Sequence, residues 1–395
     1  MADGIIAFLV LLTILAVLTQ ETFVVALAYL FAGAMLLGRW WSSRVISKIA
    51  FTRKFEHKVF PGETVPVHLN IQNTSLLPAV WLRVQDLYPL EVAENRSFQQ
   101  VISLRPRETV QLSYNLRAKR RGYFSVGPFT VTSGDLLGLS ADQSSEGGAD
   151  HLIVYPRVVP FSEVRLPSRS PMGNLRTRQP VYEDPTRTVG KRDYHVGDSL
   201  RRIDWKSTAS TGRLQTKLFE PSISLETTIF LNLNAEDYPL RSRYEATELA
   251  IVIAASLANW VIAQRQSAGL ITNGFDMLAD DNKADSLFPR KGRSHLMRIL
   301  ELLARIRAVE STSFAAMVNQ ERVQLSWGTT MVIITSSAGK EVFDELHHAR
   351  RSGLIPVVVL AGENPANRQA AQMGKLYKIP THTFLHEKDL DLWRK

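Results

Sequence analysis

The chain has 395 residues, more than a single hydrophobic core usually serves, so two or more folded units are expected. A formal charge of +9 points to anionic partners or surfaces (lipid, nucleic acid or acidic protein) and is silent about fold. The absence of cysteine excludes disulfides, thiolate metal sites and cysteine nucleophiles.

Two uncharged runs open the chain, Gly4 to Gln20 and Thr22 to Gly38, separated by Glu21. Each has about 17 residues, roughly 25 Å as a helix, which is a short but sufficient span for a bilayer core of about 30 Å. The turn Thr19-Gln20-Glu21-Thr22 holds no Lys or Arg, whereas Arg39, Arg44, Lys48, Arg53 and Lys54 follow the second run. The positive-inside rule therefore places both termini and the remaining chain on the cytoplasmic side, with Trp40 and Trp41 in the interfacial belt. A cleaved signal peptide would want a basic start, and Met1-Ala2-Asp3 supplies an acid instead. Residues 1–48 are expected to form a transmembrane helical hairpin of a multi-pass membrane protein.

From 49 to 160 the pattern becomes period-two alternation, as in Val65-Pro66-Val67-His68-Leu69-Asn70-Ile71 and Thr109-Val110-Gln111-Leu112-Ser113-Tyr114-Asn115-Leu116. Pro61-Gly62-Glu63, Asn73-Thr74-Ser75 and Gly127-Pro128 are turn signals between such runs. Several short alternating strands over about 100 residues predict an immunoglobulin-like β-sandwich, with Trp81 as an inward aromatic. His57 and His68 stand alone and read as strand-surface residues.

Residues 161–221 read as a basic, loop-rich arm; 161–220 hold 12 Lys or Arg against 7 Asp or Glu. Gly197-Asp198 suits a turn that caps a following helical turn. Arg201, Arg202, Asp204 and Lys206 then set alternating charges around Ile203 and Trp205, and Arg213 follows Gly212. The simplest reading is an ion-pair network that locks the arm onto a neighbouring domain. The next is a partner-docking surface or an anion site, and catalysis has the least support.

Beyond residue 222 strand and helix signals alternate. Thr227–Leu233, Gly269–Thr272, Thr330–Thr335 and Ile355–Leu360 are apolar strand runs, while Arg243–Gln266, Ser294–Val309 and Glu341–Arg351 have helical patterns. This order predicts an α/β domain over 222–395 with a doubly wound, mostly parallel sheet, whose strand ends are the default ligand position; Asn232, Asn234 and Thr335 fall there. No phosphate-binding Gly-x-x-x-x-Gly-Lys-Ser/Thr, no Gly-x-Gly-x-x-Gly and no His-Glu-x-x-His is present. His347, His348, His382 and His386 lack metal-ligand spacing with nearby acids.

The stretch Tyr194-His195-Val196-Gly197-Asp198-Ser199-Leu200-Arg201-Arg202-Ile203-Asp204-Trp205-Lys206, continued to Gly212-Arg213-Leu214, resembles the hallmark of domain of unknown function family 58 (DUF58). Arg121-Gly122-Tyr123, Gly127-Pro128, Asp135-Leu136-Leu137-Gly138-Leu139 and Val154-Tyr155-Pro156-Arg157 match further stretches of that family. The resemblance implies a von Willebrand factor A-like C-terminal domain. Such domains often hold a divalent ion with Asp-x-Ser-x-Ser after the first strand, and this chain has Asn232-Leu233-Asn234-Ala235-Glu236 there, with Asp237 displaced by one position. The metal site is accordingly expected to be weak or absent, and no cofactor is expected.

The resemblance also implies a non-enzymatic adaptor or scaffold at the bacterial inner membrane. It would work with a MoxR-type AAA+ ATPase in the assembly or maturation of cell-envelope or metal-dependent proteins. The signature residues Gly197, Asp198, Arg201, Arg202, Asp204, Trp205, Lys206 and Arg213 would serve partner binding or structure. The alternatives are a hydrolase with an unrecognised carboxylate site, or a basic surface for lipid or nucleic acid, the latter without sequence specificity.

Overall fold

In the computed structural model the chain begins with two helices, α1 (Ala2–Thr19) and α2 (Thr22–Ile46). The structure describes all residues except 1, 20, 134–142, 162–182, 222–225 and 394–395, so the Asp135–Leu139 stretch lies outside the described residues. An edge-to-face contact between Phe8 and Phe31, with ring centroids 5.8 Å apart, marks the chain doubling back after Glu21. The 25 residues of α2 span about 37 Å, and the helix is long and apolar enough to cross a membrane. Phe23, Tyr29, Leu30, Leu36 and Leu37 are all exposed along it. In water that continuous apolar surface would be an interaction or aggregation site.

The helix does not stop at Gly38, where the uncharged run ends. It continues through Arg39, Trp40 and Trp41 because the next turn has its own burial partners. Ser42, Val45 and Ile46 are buried, and the last two join the hydrophobic core of the β-rich region that follows. Trp41 Nε1 donates to the Pro78 carbonyl at 3.1 Å, and Ser42 Oγ donates to the Ser133 carbonyl at the same distance.

The chain forms two compact units, Met1–Arg157 with Leu300–Arg305, and Val158–Ile299 with Ile306–Lys395. Among the described residues of the first, ten strands follow the helices: β1 (Ile49–Lys54), β2 (Lys58–Val59), β3 (Thr64–Asn73), β4 (Ala79–Leu87), β5 (Ser97–Leu104), β6 (Thr109–Arg117), β7 (Gly122–Val126), β8 (Phe129–Ser133), β9 (Gln143–Gly147) and β10 (Asp150–Val154). They make three sheets ordered β1-β3-β6, β2-β10-β7 and β5-β4-β8-β9, antiparallel except for β2 against β10. Alternation decides what is inside: Val65, Val67, Leu69 and Ile71 of β3 are buried, and their neighbours face out. On β4 a register irregularity between Ala79 and Leu82 resets the phase. Leu82, Val84 and Asp86 therefore point inward, and Trp81, expected to be the inward aromatic, is only half-buried. His57 is exposed and His68 half-buried.

The inward Asp86 is fully buried and needs a partner. Arg53 supplies it with a two-pronged contact, Nη2 to Oδ1 at 2.7 Å and Nε to Oδ2 at 3.0 Å, while Tyr114 Oη donates to Oδ2 at 2.7 Å. Arg53 Nη1 also reaches Asp150 Oδ2 at 2.8 Å and the Val126 carbonyl at 2.9 Å. Burial pushes the Asp86 carboxyl above its usual pKa, against the opposing pull of Tyr114 and Arg53.

Beyond residue 158 the chain forms, in order, β11 (Glu183–Asp193), α3 (Trp205–Thr211), β12 (Gln215–Pro221), β13 (Glu226–Leu231), α4 (Arg243–Ala263), β14 (Ser267–Thr272), β15 (Phe275–Asp276), β16 (Leu287–Arg290), α5 (Arg293–Arg305), β17 (Ile306–Arg307), α6 (Phe314–Arg322), β18 (Thr330–Thr335), α7 (Lys340–Arg351), β19 (Ile355–Ala361), α8 (Asn367–Tyr377) and β20 (Thr381–Phe384), all in the second unit except the Leu300–Arg305 half of α5. Its main sheet has the order β16-β14-β13-β18-β19-β20, parallel throughout except for edge strand β16. Phe230, Met331, Ile333, Val358 and Leu360 pack with residues of α6, α7 and α8. Ile229, Val332, Ile334, Val357 and Val359 alternate to the other face and are equally buried, which is why these strands read as unbroken apolar runs. α4 is as apolar and nearly as long as a membrane span, but most of its central window is buried inside this unit, whereas that of α2 is not.

Candidate functional site

The arm that the sequence suggests is loop-rich is, in its described part, an antiparallel ribbon. β11 and β12 pair with Lys191 opposite Lys217 and Asp193 opposite Gln215. The backbone continues the pairing above the strands, with Tyr194 N donating to the Leu214 carbonyl at 2.9 Å and Asp204 N to the Gln215 carbonyl at 2.8 Å. Between the strands sit a 3-10 turn at Leu200–Arg202 and α3. Charged side chains hide this ribbon from a hydropathy reading, because its register rests on backbone pairing and ion pairs.

Both aspartates of the signature are consumed inside the arm. Gly197, at φ +109°, makes the turn that returns Asp198 toward the ribbon. There Asp198 Oδ2 accepts from His195 N at 3.0 Å and Oδ1 from Arg192 Nη2 at 2.7 Å. Asp204 is the N-cap of α3: its Oδ1 accepts from Ser207 N at 3.1 Å, and its Oδ2 pairs with Lys191 Nζ at 2.9 Å. Lys191 Nζ also donates to Ser207 Oγ. Gly212, left-handed at φ +68°, closes the helix at its other end. The cap expected from Asp198 is thus made by Asp204, and the Leu200–Arg202 turn has no side-chain cap. The His195 N–H and then the Arg192 guanidinium hold Asp198 below the usual carboxylate range. For Asp204 the Lys191 ammonium acts first, with the Ser207 N–H behind it.

The cations paired with the aspartates are therefore Lys191 and Arg192 of β11, not Arg201, Arg202, Lys206 or Arg213. The signal for them was in the sequence, a Lys-Arg pair seven and six residues before Asp198, but nothing local shows that β11 runs alongside α3. Arg201, Lys206 and Arg213 are exposed and form no ion pair among the described residues, and Arg202 lies 5.8 Å from the Phe219 ring centroid. Beside these cations Leu200 is 67% and Trp205 68% exposed, and Val196 is fully exposed. Ile203 alone in this stretch turns inward and is buried.

A second cluster sits at the carboxyl ends of β13 and β18, where the strand order reverses direction, the usual ligand position in such sheets. Asn232, 1% exposed, donates from Nδ2 to Asp237 Oδ2 at 2.7 Å and to Thr335 Oγ1 at 3.0 Å. Its Oδ1 accepts from Asn234 N at 2.9 Å and from Asn273 Nδ2 at 3.1 Å, and its backbone carbonyl accepts from Tyr238 Oη at 2.6 Å. Asn234 Nδ2 donates to Asp237 Oδ2 at 3.3 Å, and Ser311 N to Asn234 Oδ1 at 3.2 Å. Asn232, Asn234 and Thr335 thus come together at this strand end, while Glu236 is exposed and Asp237 supplies the carboxylate. Asn273 was missed because it follows β14, forty residues away, and only the parallel pairing of β13 with β14 brings it in. Elsewhere His347 packs on the Tyr377 ring, and burial holds His382 below the usual histidine pKa. Among the described residues no group of three His, Cys, Asp or Glu side chains converges.

Both clusters fall within one recognisable segment. Residues 190–359 match the family model described as Protein of unknown function DUF58. A relative, the uncharacterized protein YeaD of Bacillus subtilis (strain 168), is 24% identical over 317 residues, covering 79% of this chain and 75% of YeaD. Likeness to solved structures is slight. Proximal thread matrix protein 1 from the mussel byssus gives a TM-score of 0.31 at 12% identity, covering 43% of this chain and 46% of that one. Native alpha-2-macroglobulin from Escherichia coli gives 0.24 at 20% identity, covering 29% and 17%. The chain spans less than half of either solved chain, and neither likeness bears on function. The DUF58 segment begins inside β11, just ahead of Lys191 and Arg192, and ends in β19, so it contains the described signature and the sheet's strand-end cluster together.

Proposed function

We propose that this protein is a non-enzymatic, membrane-anchored adaptor whose DUF58 arm docks a protein partner, a MoxR-type AAA+ ATPase. The observation that carries the reading is the division of labour in the arm. Lys191, Arg192, Asp198 and Asp204 fix its shape through internal pairs, leaving Arg201, Lys206 and Arg213 exposed in the same stretch as the exposed Val196, Leu200 and Trp205. A preformed patch with an exposed tryptophan among cations has the composition of a binding hot spot. The α1–α2 hairpin would anchor the chain in the bacterial inner membrane with the units in the cytoplasm, which the basic residues after Gly38 support. In this reading the first unit is an immunoglobulin-like sandwich acting as a spacer, and the second is a von Willebrand factor A-like module. The clients would be cell-envelope or metal-dependent proteins under assembly or maturation.

The test is affinity capture of the tagged full-length protein from native membranes, with and without ATP, beside a variant carrying Arg201→Glu, Lys206→Glu and Arg213→Glu. Nucleotide-sensitive recovery of an AAA+ ATPase that the variant loses is the expected result. Equal recovery by the variant would move the docking surface away from the arm, and no ATPase under either condition would refute the adaptor reading.

A further inference from the structure

We infer that the strand-end crevice of the DUF58 segment works without a divalent cation, because the side-chain amide of Asn232 does the structural work an ion would do there. The von Willebrand factor A-like expectation puts a cation at the end of the first parallel strand, held by a carboxylate and hydroxyls. The residues in this chain do not fit that group. The two oxygens best placed to serve as ligands, Asp237 Oδ2 and Thr335 Oγ1, already accept hydrogen bonds from one nitrogen, Asn232 Nδ2, at 2.7 and 3.0 Å. Asn234 Nδ2 adds a further donor to Asp237 Oδ2 at 3.3 Å.

The surroundings fix the orientation of the Asn232 amide. Its Oδ1 faces two donors, Asn234 N at 2.9 Å and Asn273 Nδ2 at 3.1 Å. A flipped amide would press an oxygen against the Asp237 carboxylate and an NH2 group against the Asn234 N–H. The donors of Nδ2 thus bridge a carboxylate and a hydroxyl across the switch between β13 and β18, as a shared cation would, but with no net charge. Asp237 is the single carboxylate in this hydrogen-bonded set. Magnesium demands a near-octahedral oxygen shell and gives up its waters reluctantly. To bind here it would have to displace a buried amide whose hydrogen bonds are satisfied on both sides. Thr335 is tied down further, its hydroxyl donating to the Ser337 carbonyl at 2.8 Å and accepting from Ser337 N at 3.2 Å.

The inference does not depend on which partner the arm binds, so its test stands apart from the capture experiment. The full-length protein in detergent is titrated with Mn2+ and followed by the electron paramagnetic resonance signal of the free ion, and its thermal midpoint is compared in Mg2+ and in EDTA. The wild type is expected to leave the Mn2+ signal intact and to melt at the same temperature in both buffers. Asn232→Asp sets a second carboxylate against Asp237 and is expected to melt lower in EDTA and to recover with Mg2+. Stoichiometric loss of the Mn2+ signal in the wild type that Asp237→Asn abolishes would overturn the inference; loss that Asp237→Asn leaves unchanged lies elsewhere and supports it. A folded Asn232→Asp protein indifferent to Mg2+ would also overturn it, and if that variant fails to fold, the wild-type and Asp237→Asn titrations decide.

Discussion

Arg53 carries more of the first unit's polar bonding than any apolar neighbour, since its guanidinium joins Asp86, Asp150 and a strand carbonyl. Both Arg53 and Asp86 are almost completely buried, so removing one partner leaves an uncompensated charge. Arg53→Met is expected to cost about 3–5 kcal/mol by denaturant unfolding, and the double variant Arg53→Met with Asp86→Leu to recover most of it. Recovery that fails would locate the loss in packing against the Phe129 ring instead. The arm's aspartates behave differently because they lie at the surface. Their folded pKa values are depressed below the usual 3.8, so the stability they add is present above that value and is lost as the pH falls through the depressed values. Carboxyl NMR titration should place both midpoints below 3.8, and Lys191→Met should move Asp204 back up while leaving Asp198 in place.

At the scale of elements the informative case is α2, one helix with two environments. Its first part presents apolar side chains outward, and its last turn is a piece of the β-rich core. A soluble fragment beginning at residue 39 keeps Val45 and Ile46, whereas one beginning at residue 49 strips both from the core. Each fully buried aliphatic side chain contributes about 1.5–3 kcal/mol, so the shorter fragment is expected to lose about 3–6 kcal/mol, read as a lower denaturant midpoint or as aggregation. Equal stability of the two fragments would mean that the last turn of α2 is not part of that core. The ribbon is the opposite case: two strands alone are marginal in water, and the pairs through Lys191 and Arg192 supply the missing constraint.

For the whole molecule, the two candidate spans make a testable contrast. α4 satisfies the length and composition of a membrane helix and is spent on the interior of the second unit, while the apolar stretch of α2 ahead of its last turn holds no buried residue. The protein is expected to resist alkaline carbonate extraction from membranes, and a chain lacking residues 1–38 to appear in the soluble fraction. Release of the full-length chain by carbonate would overturn the membrane reading. Legibility followed locality. The runs that became β18, β19 and α7 stood in the sequence within a residue or two of their ends, because buried parallel strands and an amphipathic helix carry their own periodicity. The expected helix Ser294–Val309 ended at Arg305, where Ile306 and Arg307 pair with Phe275 and Asp276 instead. Helix α8, edge strand β16 and the ribbon left no such periodic mark.

By itself the sequence determined the apolar N-terminal hairpin, the alternating β-rich stretch, the α/β tail and the position of the signature, since each is a pattern of side chains along one backbone. Tertiary structure alone decided which residues bond to one another. It paired Asp204 with Lys191 across the ribbon, turned Trp81 partly outward through an irregular register, and brought Asn273 from beyond β14 to the Asn232 amide. The physical reason is the same in each case. A hydrogen bond or ion pair is made at about 3 Å in space, and here strand pairing brings residues 13 and 41 positions apart within that distance.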